Sequence, residues 1–401
     1  MTLGECYIKS VIIHCEISMS LFPRFSQREY ERRNRLVKEM MNRMDLQSLI
    51  LYGSTLSMGT VTYLSNYITR SPTFLLYPIS AEPVLITNFY NHIPAAKAMS
   101  IVEDVRWHMN EPARFLTRLI SEKNLENTRI GIVGLSSIPF SLFSQLKSLL
   151  PNTQFVDVAE EYNWIRWIRS DEEIDWFRKS AYLTDLTVQA LEKRIRPGLT
   201  EHDLNAIVYD SFLRQDGQLW VDMLTTTSME YPEVFCPWPF PTSRVVENGN
   251  IVITEITVGY YSYNAQIHRP FAVGKKPSEV YQKLFDTALE CFENVSKTLK
   301  PGATTKEVME ATSVIRDNGF TVYDSLVHGE AAKNPELWSK DSFHPKEDFT
   351  FRENMVVIIQ PQPITLDHKA GLQLGAATVI KPEGAVNLHT YPFKFPVCNG
   401  D

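Results

Sequence analysis

Two stretches of the chain repeat one pattern, and this repeat restricts the fold more than any other feature. Each has a basic residue, Pro-Gly, one further residue and a threonine, followed by an acidic residue and a helix with apolar periodicity: "RPGLTEHDL" and "KPGATTKEV". A long amphipathic helix precedes each stretch, and strand patterns follow each. The pattern predicts a duplicated half-domain with pseudo-two-fold internal symmetry. The open alternative is chance use of Pro-Gly helix starts, which are common.

The part of the chain before the repeat alternates between helical and strand patterns. "LQSLILYG", "TFLLYPI" and "RIGIVG" have the composition of strands, and Ser26 suits the N-cap of a first helix. We therefore predict the α/β (α+β) class, with an α/β domain over residues 19–165 and the repeat domain over residues 166–401. Residues 1–18 match neither part and are treated as an N-terminal extension.

Composition excludes several kinds of partner. The net charge of −7 leaves no excess of Lys and Arg to neutralise phosphates, so no nucleic-acid partner is expected. No apolar run approaches the ~20 residues of a membrane span, so no membrane partner is expected either. The five cysteines are scattered and form no CxxC pair, which argues against a disulfide framework or a zinc site and predicts a cytoplasmic location.

Several motifs, taken in order, resemble the pita-bread family, which includes creatinase, aminopeptidase P, prolidase and methionine aminopeptidase. "IRSDEEIDWFRKSA" resembles the family's helix entry, and the two Pro-Gly turns resemble its paired turns. "TSRVVENGNIVITEITVGYYSYNAQIHRPF" resembles its long hairpin, and "ENMVVIIQPQP" resembles its strand ending in Glu-Pro. "GLQLGAATVIKPEGAVNL" resembles its closing strand. Together they cover nearly the whole chain.

The resemblance implies an N-terminal creatinase-like α/β domain and a C-terminal pita-bread domain with a curved six-stranded sheet backed by helices. It also implies a homodimer. In creatinase-like members the N-terminal domain of one subunit reaches the site of the other, and Arg70 stands where an arginine with this role is expected.

The metal-dependent members hold two divalent ions with two Asp, one His and two Glu, because carboxylates bridge hard cations and lower the pKa of bound water. The matching positions in this chain are, in order, Glu255, Gln266, His328, Gln360 and Gly375. Amides are weak, neutral ligands and glycine has no side-chain ligand. The resemblance therefore implies the scaffold but not the dinuclear centre, and we expect no cofactor.

Other departures narrow the chemistry further. The histidine expected upstream of the hairpin is replaced by Trp238 or Pro237, and the residue before Arg269 is His268 where creatinase has a Glu. The carboxylates that clamp a guanidinium are thus missing, which makes creatine an unsuitable substrate. His344 is a further histidine whose register the sequence leaves open.

The residues that remain predict acid–base chemistry on a small-molecule substrate, as hydrolysis of a C–N bond or an elimination. We assign catalytic roles to His328, Glu255 and His268. The predicted substrate-binding residues are Gln360, Gln266, Arg269, Trp238, Tyr261 and Arg70.

Several of these residues also have a possible structural role. His268 could face solvent on the hairpin, His328 could hydrogen-bond within the core, and Arg269 could pair with an internal acid. Tyrosines on a sheet more often pack than bind substrate.

Three further functions are compatible with the sequence. One is an enzyme with a single metal held by Glu255, His268 and His328, since two histidines and a carboxylate form a known mononuclear set. Another is a pita-bread binding module without catalysis, like the histone-binding member of the superfamily. The third is an Xaa-Pro peptidase-like hydrolase.

Overall fold

The structure is a computed structural model that describes residues 21–55, 58–329, 336–337 and 349–399. The predicted extension over residues 1–18 and His344 lie outside these ranges. Within the described residues, no helix is long and apolar enough to cross a membrane.

The N-terminal part is a six-stranded mixed sheet with helices packed against it, and its strand order is β4-β3-β2-β1-β5-β6. Its strands are β1 (Ser48–Gly53), β2 (Thr73–Pro78), β3 (Val84–Thr87), β4 (Asp104–Trp107), β5 (Arg129–Val133) and β6 (Gln154–Asp157). Its helices are α1 (Gln27–Arg43), α2 (Met58–Ser65), α3 (Ile93–Met99), α4 (Pro112–Glu122), α5 (Phe140–Leu149) and α6 (Ala159–Trp167), with short 3-10 turns at Tyr90–His92 and Leu135–Ser137. Ser26 caps α1 as predicted, by accepting from the Glu29 amide.

The C-terminal part begins with a long helix and is organised around a second sheet. Its helices are α7 (Asp171–Arg194), α8 (Glu201–Phe212), α9 (Glu279–Thr298), α10 (Thr305–Ala311) and α11 (Val314–Asp317). Its strands are β7 (Gly217–Ser228), β8 (Asn250–Tyr260), β9 (Gln266–Val273), β10 (Thr321–Val322), β11 (Val327–His328), β12 (Glu336–Leu337), β13 (Val356–Ile359), β14 (Pro363–Ile364), β15 (Gly375–Lys381), β16 (Gly384–Asn387) and β17 (Val397–Cys398).

The main sheet of this part runs in the order β12-β11-β13-β15-β9-β8-β7, with β16 beside β15 and β17 beside β9. The six strands from β11 to β7 make up the sheet that the resemblance implies, and three short strands extend it within the described residues. The predicted boundary at residue 165 falls inside α6, so the division at that position stays a prediction.

The internal repeat is visible in matched turn geometry. Gly198 and Gly302 both have left-handed φ angles, 92° and 93°, which favour glycine. Each glycine donates its amide across the turn at 2.9 Å, to Val246 and Phe351 respectively. Capping boxes then start α8 at Thr200 and α10 at Thr304. The same three features occur in both halves, so the predicted pseudo-symmetry is confirmed.

A buried group of charges joins the two parts of the chain. We call it the junction cluster, and it consists of Glu29, Arg32, Arg33, Glu173 and Tyr263. Arg33 bonds Glu29 at 2.6 Å and the Tyr263 hydroxyl at 3.0 Å, while Arg32 bonds Glu173 at 2.9 Å. The Tyr263 hydroxyl in turn donates to Glu173 at 3.0 Å. Because α1 supplies Glu29 and both arginines, while α7 supplies Glu173 and the β8–β9 turn supplies Tyr263, the cluster links the two parts of the chain.

Candidate active site

Strand register brings the predicted site residues together. Glu255 lies opposite His268 in the β8–β9 ladder, and His268 lies opposite Gly375 in the β9–β15 ladder. Directly opposed residues share a face of a sheet, so these three positions face the same way. On the neighbouring strands His328 lies opposite Ile358, two residues before Gln360. We call the resulting group the site cluster: Glu255, Gln266, His268, His328, Gln360 and Gln373.

Glu255 is the carboxylate around which the site cluster is built. The Gln266 amide donates to one of its oxygens at 2.6 Å, and the Gln373 amide donates to the other at 3.2 Å. Glu255 is partly exposed, whereas both glutamines are buried. Burial raises the pKa of the Glu255 carboxyl, and the opposing effects of the Gln373 hydrogen bond and of His328 do not cancel the rise. Such a carboxyl exchanges protons nearer neutral pH than an exposed glutamate.

His328 and Gln360 form a buried pair beside Glu255. The His328 Nε2 atom lies 3.0 Å from the Gln360 side-chain oxygen, and its Nδ1 atom lies 2.7 Å from the Gly329 oxygen. The Gln360 amide nitrogen donates to the Ser325 main-chain oxygen at 2.8 Å. The amide is thereby oriented with its oxygen toward the imidazole, so the ring is held in place by two carbonyl oxygens.

His268 is fully buried, so the alternative that it faces solvent is wrong. Neither ring nitrogen has a hydrogen-bond partner. Burial, followed by the nearby charges of His328 and Arg269, lowers the pKa of His268 well below its ordinary value. The ring is therefore a neutral imidazole with unused hydrogen-bonding capacity, enclosed beside Glu255.

Gly375 stands at a ligand position of the implied metal centre, and the structure has no room for a side chain there. A Cβ atom at this position would lie 2.7 Å from the His268 Nδ1 atom and 2.8 Å from the Gln360 Cα atom. It would also collide with the Ile359 main-chain oxygen. The His268 ring and strand β13 thus occupy the space that a carboxylate at this position would need.

The residues present therefore do not fit a two-metal centre. Of the five ligand positions, only Glu255 keeps a carboxylate. The Gln266 amide points a donor at that carboxylate, and both ends of the Gln360 amide are hydrogen-bonded within the protein. In the parts of the chain that the structure describes, no three His, Cys, Asp or Glu side chains converge as possible metal ligands. The single-metal alternative with Glu255, His268 and His328 thus loses its geometric basis.

The structure contradicts the prediction that Arg269 binds substrate. Alternation along β9 turns Arg269 to the face opposite His268. Its guanidinium donates to the main-chain oxygens of His268 at 2.8 Å, Gly375 at 2.7 Å, Tyr391 at 3.1 Å and Pro392 at 3.2 Å. The alternative of a structural arginine is therefore correct, although main-chain oxygens replace the expected acid.

Three other predicted binding residues lie apart from the hydrogen bonds of the site cluster. Trp238 is 44 % exposed on the segment before β8, and Arg70 is exposed after α2. Tyr261 is buried at the β8–β9 turn, with its ring 5.2 Å from that of Tyr260 and 5.5 Å from that of Trp176. It packs against these two rings, as the alternative for these tyrosines allowed. Substrate contacts by Trp238, Tyr261 and Arg70, and the homodimer, stay predictions.

Sequence reasoning missed two residues beside Glu255. Gln373 lies two positions before Gly375, so strand alternation alone could have placed it on the same face. Tyr323 lies in the loop before β11, where no periodic signal exists. Its pKa is raised well above the ordinary value by burial and by the nearby Glu255 charge, so it stays a neutral phenol. A side-chain hydrogen bond with Gln373 opposes this rise, so Tyr323 and Gln373 lie next to each other beside Glu255.

Comparison with family profiles matches most of the chain. The profile of metallopeptidase family M24 matches residues 175–382, and the profile of the creatinase/prolidase N-terminal domain matches residues 32–168. An uncharacterized hydrolase/peptidase of Sinorhizobium fredii is 27% identical over 314 residues, which are 74% of this chain and 78% of that protein. An Xaa-Pro dipeptidase of Pyrococcus horikoshii is 26% identical over 256 residues, which are 63% of this chain and 71% of that protein.

Solved structures share the fold over both parts of the chain. The X-Pro aminopeptidase of Thermotoga maritima superimposes with a TM-score of 0.79 at 20% identity, covering 91% of this chain and 99% of that one. The prolidase of Pyrococcus horikoshii superimposes with a TM-score of 0.75 at 21% identity, covering 90% and 98% respectively. The predicted arrangement of a creatinase-like domain followed by a pita-bread domain is therefore confirmed.

Proposed function

This chain belongs to metallopeptidase family M24, and from that premise we propose that it hydrolyses a C–N bond of a small substrate without the two-metal centre of its relatives. Family membership supports the hydrolase class, and the names of the relatives favour hydrolysis over elimination. The finer part of the proposal rests on the site cluster.

The chemistry needs one group that takes a proton from water and one that gives a proton to the leaving nitrogen. Glu255 is partly exposed and has a raised pKa, so it suits the first role. His328 suits the second role, with the leaving nitrogen replacing the Gln360 oxygen as the partner of Nε2. Water forms the new C–O bond as the C–N bond breaks, its proton goes to Glu255, and the nitrogen leaves with the proton from His328.

One observation supports this reading above the others, namely that a single carboxylate is held by two amides at the centre of the site. Gln266 and Gln373 both donate to Glu255, which orients its oxygens while its pKa stays above the ordinary value. A carboxylate arranged to bind cations would be surrounded by further oxygen ligands instead. The neutral, buried His268 adds a second imidazole beside the reacting groups.

The second candidate is a dipeptidase that acts on Xaa-Pro substrates, and the relatives' names favour it. The proteins of this name match more than six-tenths of the chain at 25–26% identity. It predicts activity that requires added divalent ions. The ligand positions Gln266, Gln360 and Gly375 argue against it, because none offers a carboxylate.

The test is to dialyse the purified protein against a chelator and to assay it with a panel of Xaa-Pro dipeptides, N-acyl amino acids and small amides, detecting products by mass spectrometry. We expect the chelated protein to hydrolyse a member of the panel. Glu255→Gln and His328→Asn should each lower that rate by about 10²-fold or more, since each removes a positioned acid–base group.

Matched controls separate catalysis from general damage. Glu230 and His202 are exposed and lie on other elements, so Glu230→Gln and His202→Asn should keep the wild-type rate. Turnover of Xaa-Pro dipeptides that appears only after adding Mn²⁺ or Co²⁺ would favour the second candidate. Unchanged turnover in Glu255→Gln or His328→Asn would overturn the assigned roles.

A further inference from the structure

A buried pair of side chains lies beside β9, outside the site cluster. The Nδ1 atom of His389 is 2.8 Å from the carboxylate of Asp185 on α7, and both side chains are enclosed, at 0 % and 1 % exposure. The Nε2 atom of the same ring is 3.0 Å from the Gln266 main-chain oxygen. The pairing of β9 with β15 joins Ile267 and His268 to that strand. At Gln266, the first residue of β9, the histidine supplies the hydrogen bond instead.

The partners of His389 determine its charge. A main-chain oxygen only accepts hydrogen bonds, and so does an ionised carboxylate, so each ring nitrogen must carry a proton. The second oxygen of Asp185 accepts from the Thr390 amide at 2.6 Å, the Thr390 hydroxyl at 2.8 Å and the Tyr391 amide at 3.1 Å. Burial opposes ionisation of Asp185, but His389 and Thr390 outweigh it and lower the pKa of the carboxyl. The ring is therefore an imidazolium, and the pair is ionic.

The charged groups around the pair lie on β9. Burial lowers the pKa of Arg269, and the charge of Asp185 opposes that decrease, so this arginine is a second cation near the carboxylate. Burial is the main cause of the low pKa of His268, and the charge of His389 adds to it. A neutral residue at position 389 would therefore leave Asp185 with a cation nearby.

Gln266 connects the pair to the active site. Its main-chain oxygen accepts from His389, and its side-chain amide donates to Glu255 at 2.6 Å. Its backbone is held by β8 on one side, where it lies opposite Thr257, and by His389 on the other. Because a side chain moves with its own backbone, loss of the His389 bond releases one side of the residue that orients the carboxylate.

We infer that the ion pair of Asp185 and His389 positions Gln266, and through it Glu255, for the hydrolysis proposed above. This inference rests on the proposed function for the role of Glu255, and it adds two positioning residues that do not belong to the site cluster. An imidazolium donates to both acceptors at once, whereas a neutral imidazole has one N–H group and can donate to only one of them. The charge of the ring therefore links the carboxylate on α7 to the first residue of β9.

The first experiment observes the Gln266 side chain by NMR, in full-length protein with ¹⁵N in the glutamine side-chain amides. Gln266→Leu identifies the signal by its loss, and Glu255→Ala shows where the signal lies without the carboxylate. We expect His389→Asn to move the signal toward that position, because the shorter amide can still donate to Asp185 but no longer reaches the Gln266 oxygen. Tyr391→Phe removes a buried hydrogen bond to Glu192 close by and should leave the signal unchanged.

The second experiment measures turnover of a substrate found in the assay above. His389→Asn should lower kcat about tenfold or more with a smaller change in KM, because the carboxylate is misplaced while the rest of the site is kept. Tyr391→Phe should keep the wild-type kcat. A loss of kcat that is equal in the two variants would mean that position 389 acts only through general stability, and it would overturn the inference.

A second variant covers the case in which His389→Asn does not fold. His389→Phe keeps a ring and removes both N–H groups, and it should move the Gln266 signal in the same direction. The inference is overturned if every folded variant at position 389 keeps the wild-type Gln266 signal, or if Tyr391→Phe moves that signal as far. The spectra need no turnover, so failure of the His328 and Glu255 roles in the assay above is a separate result.

Discussion

The junction cluster and the site cluster are both polar and mostly buried, yet they differ in how completely their groups are paired. In the junction cluster each carboxylate faces an arginine, with Glu29 2.6 Å from Arg33 and Glu173 2.9 Å from Arg32. In the site cluster the carboxylate of Glu255 faces amides, and both ring nitrogens of His268 lack partners. Removing one partner from a paired buried cluster leaves a buried charge without its partner and destabilises the fold, whereas an unpaired polar atom can be completed by water or by a ligand.

The site cluster also differs from the two-metal centre that the family resemblance implies. The strands bring the matching positions onto one face of the sheet, but β13 and the His268 ring leave no room for a side chain at position 375. The negative charge that would hold cations is reduced to Glu255.

The largest expected effect tests the junction cluster. Arg33→Met leaves Glu29 and Glu173 buried with fewer partners, so it should lower the free energy of unfolding by about 3–5 kcal/mol. Urea unfolding followed by fluorescence measures this change. Arg178→Met, in an exposed pair with Asp175, is the matched control and should cost at most ~1 kcal/mol. Equal losses of unfolding free energy in Arg33→Met and Arg178→Met would contradict the stabilising role given to the junction cluster.

A smaller loss of stability is expected at Gly375, where the structure leaves no room for a side chain. Gly375→Ala should cost about 1–3 kcal/mol, because the new methyl group meets the His268 ring and the Ile359 oxygen. Adding His268→Ala should recover only part of this cost, since the main-chain oxygen cannot withdraw. Thermal or urea unfolding of the two variants measures both steps. A neutral Gly375→Ala would show that the space for a ligand side chain is still open.

The smallest expected effect concerns the pH dependence of stability. Glu29 and Glu255 should change the free energy of unfolding with pH in opposite directions. Burial opposes ionisation of Glu29, but hydrogen bonds and charges from Arg32 and Arg33 outweigh it and lower its pKa below 4.5. Its contribution is therefore complete above pH 4.5 and is lost as the pH falls through its folded-state pKa. Glu255 has a raised pKa, so the folded state holds its proton longer, and ionisation above pH 4.5 lowers stability.

Unfolding free energies measured from pH 3 to pH 8 test these signs. Relative to Glu255→Gln, the wild type should lose stability as the pH rises above about 4.5. Relative to Glu29→Gln, it should gain stability over the acidic range. Parallel curves for the wild type and Glu255→Gln would mean that Glu255 titrates as an exposed glutamate does.

Much of the scaffold could be predicted because its signals are local. The Pro-Gly turns at Gly198 and Gly302, with their capping boxes, follow from neighbouring residues. Helices α2, α3 and α6 carry no comparable local signal, since their apolar spacing is weak or they are short. The prediction for Arg269 failed although alternation on β9 could have excluded it, because His268 and Arg269 cannot share a face.

The filling of the space beside Gly375 by the His268 ring could not be predicted in the same way. The two residues are far apart in sequence, and only the β9–β15 register shows that the ring of one fills the space of the other. The loss of carboxylates at Gln266 and Gln360 was readable from the resemblance. The packing of the His268 ring and β13 around Gly375, which leaves no room for a ligand side chain, was not readable from it.

The most direct test of the metal-free account is elemental analysis of the purified protein, combined with the hydrolysis assay before and after chelation. The account predicts far less than one equivalent of Mn, Fe, Co or Zn, and a rate that chelation leaves unchanged. Two tightly bound divalent ions per chain, with activity that chelation abolishes and metal restores, would contradict it.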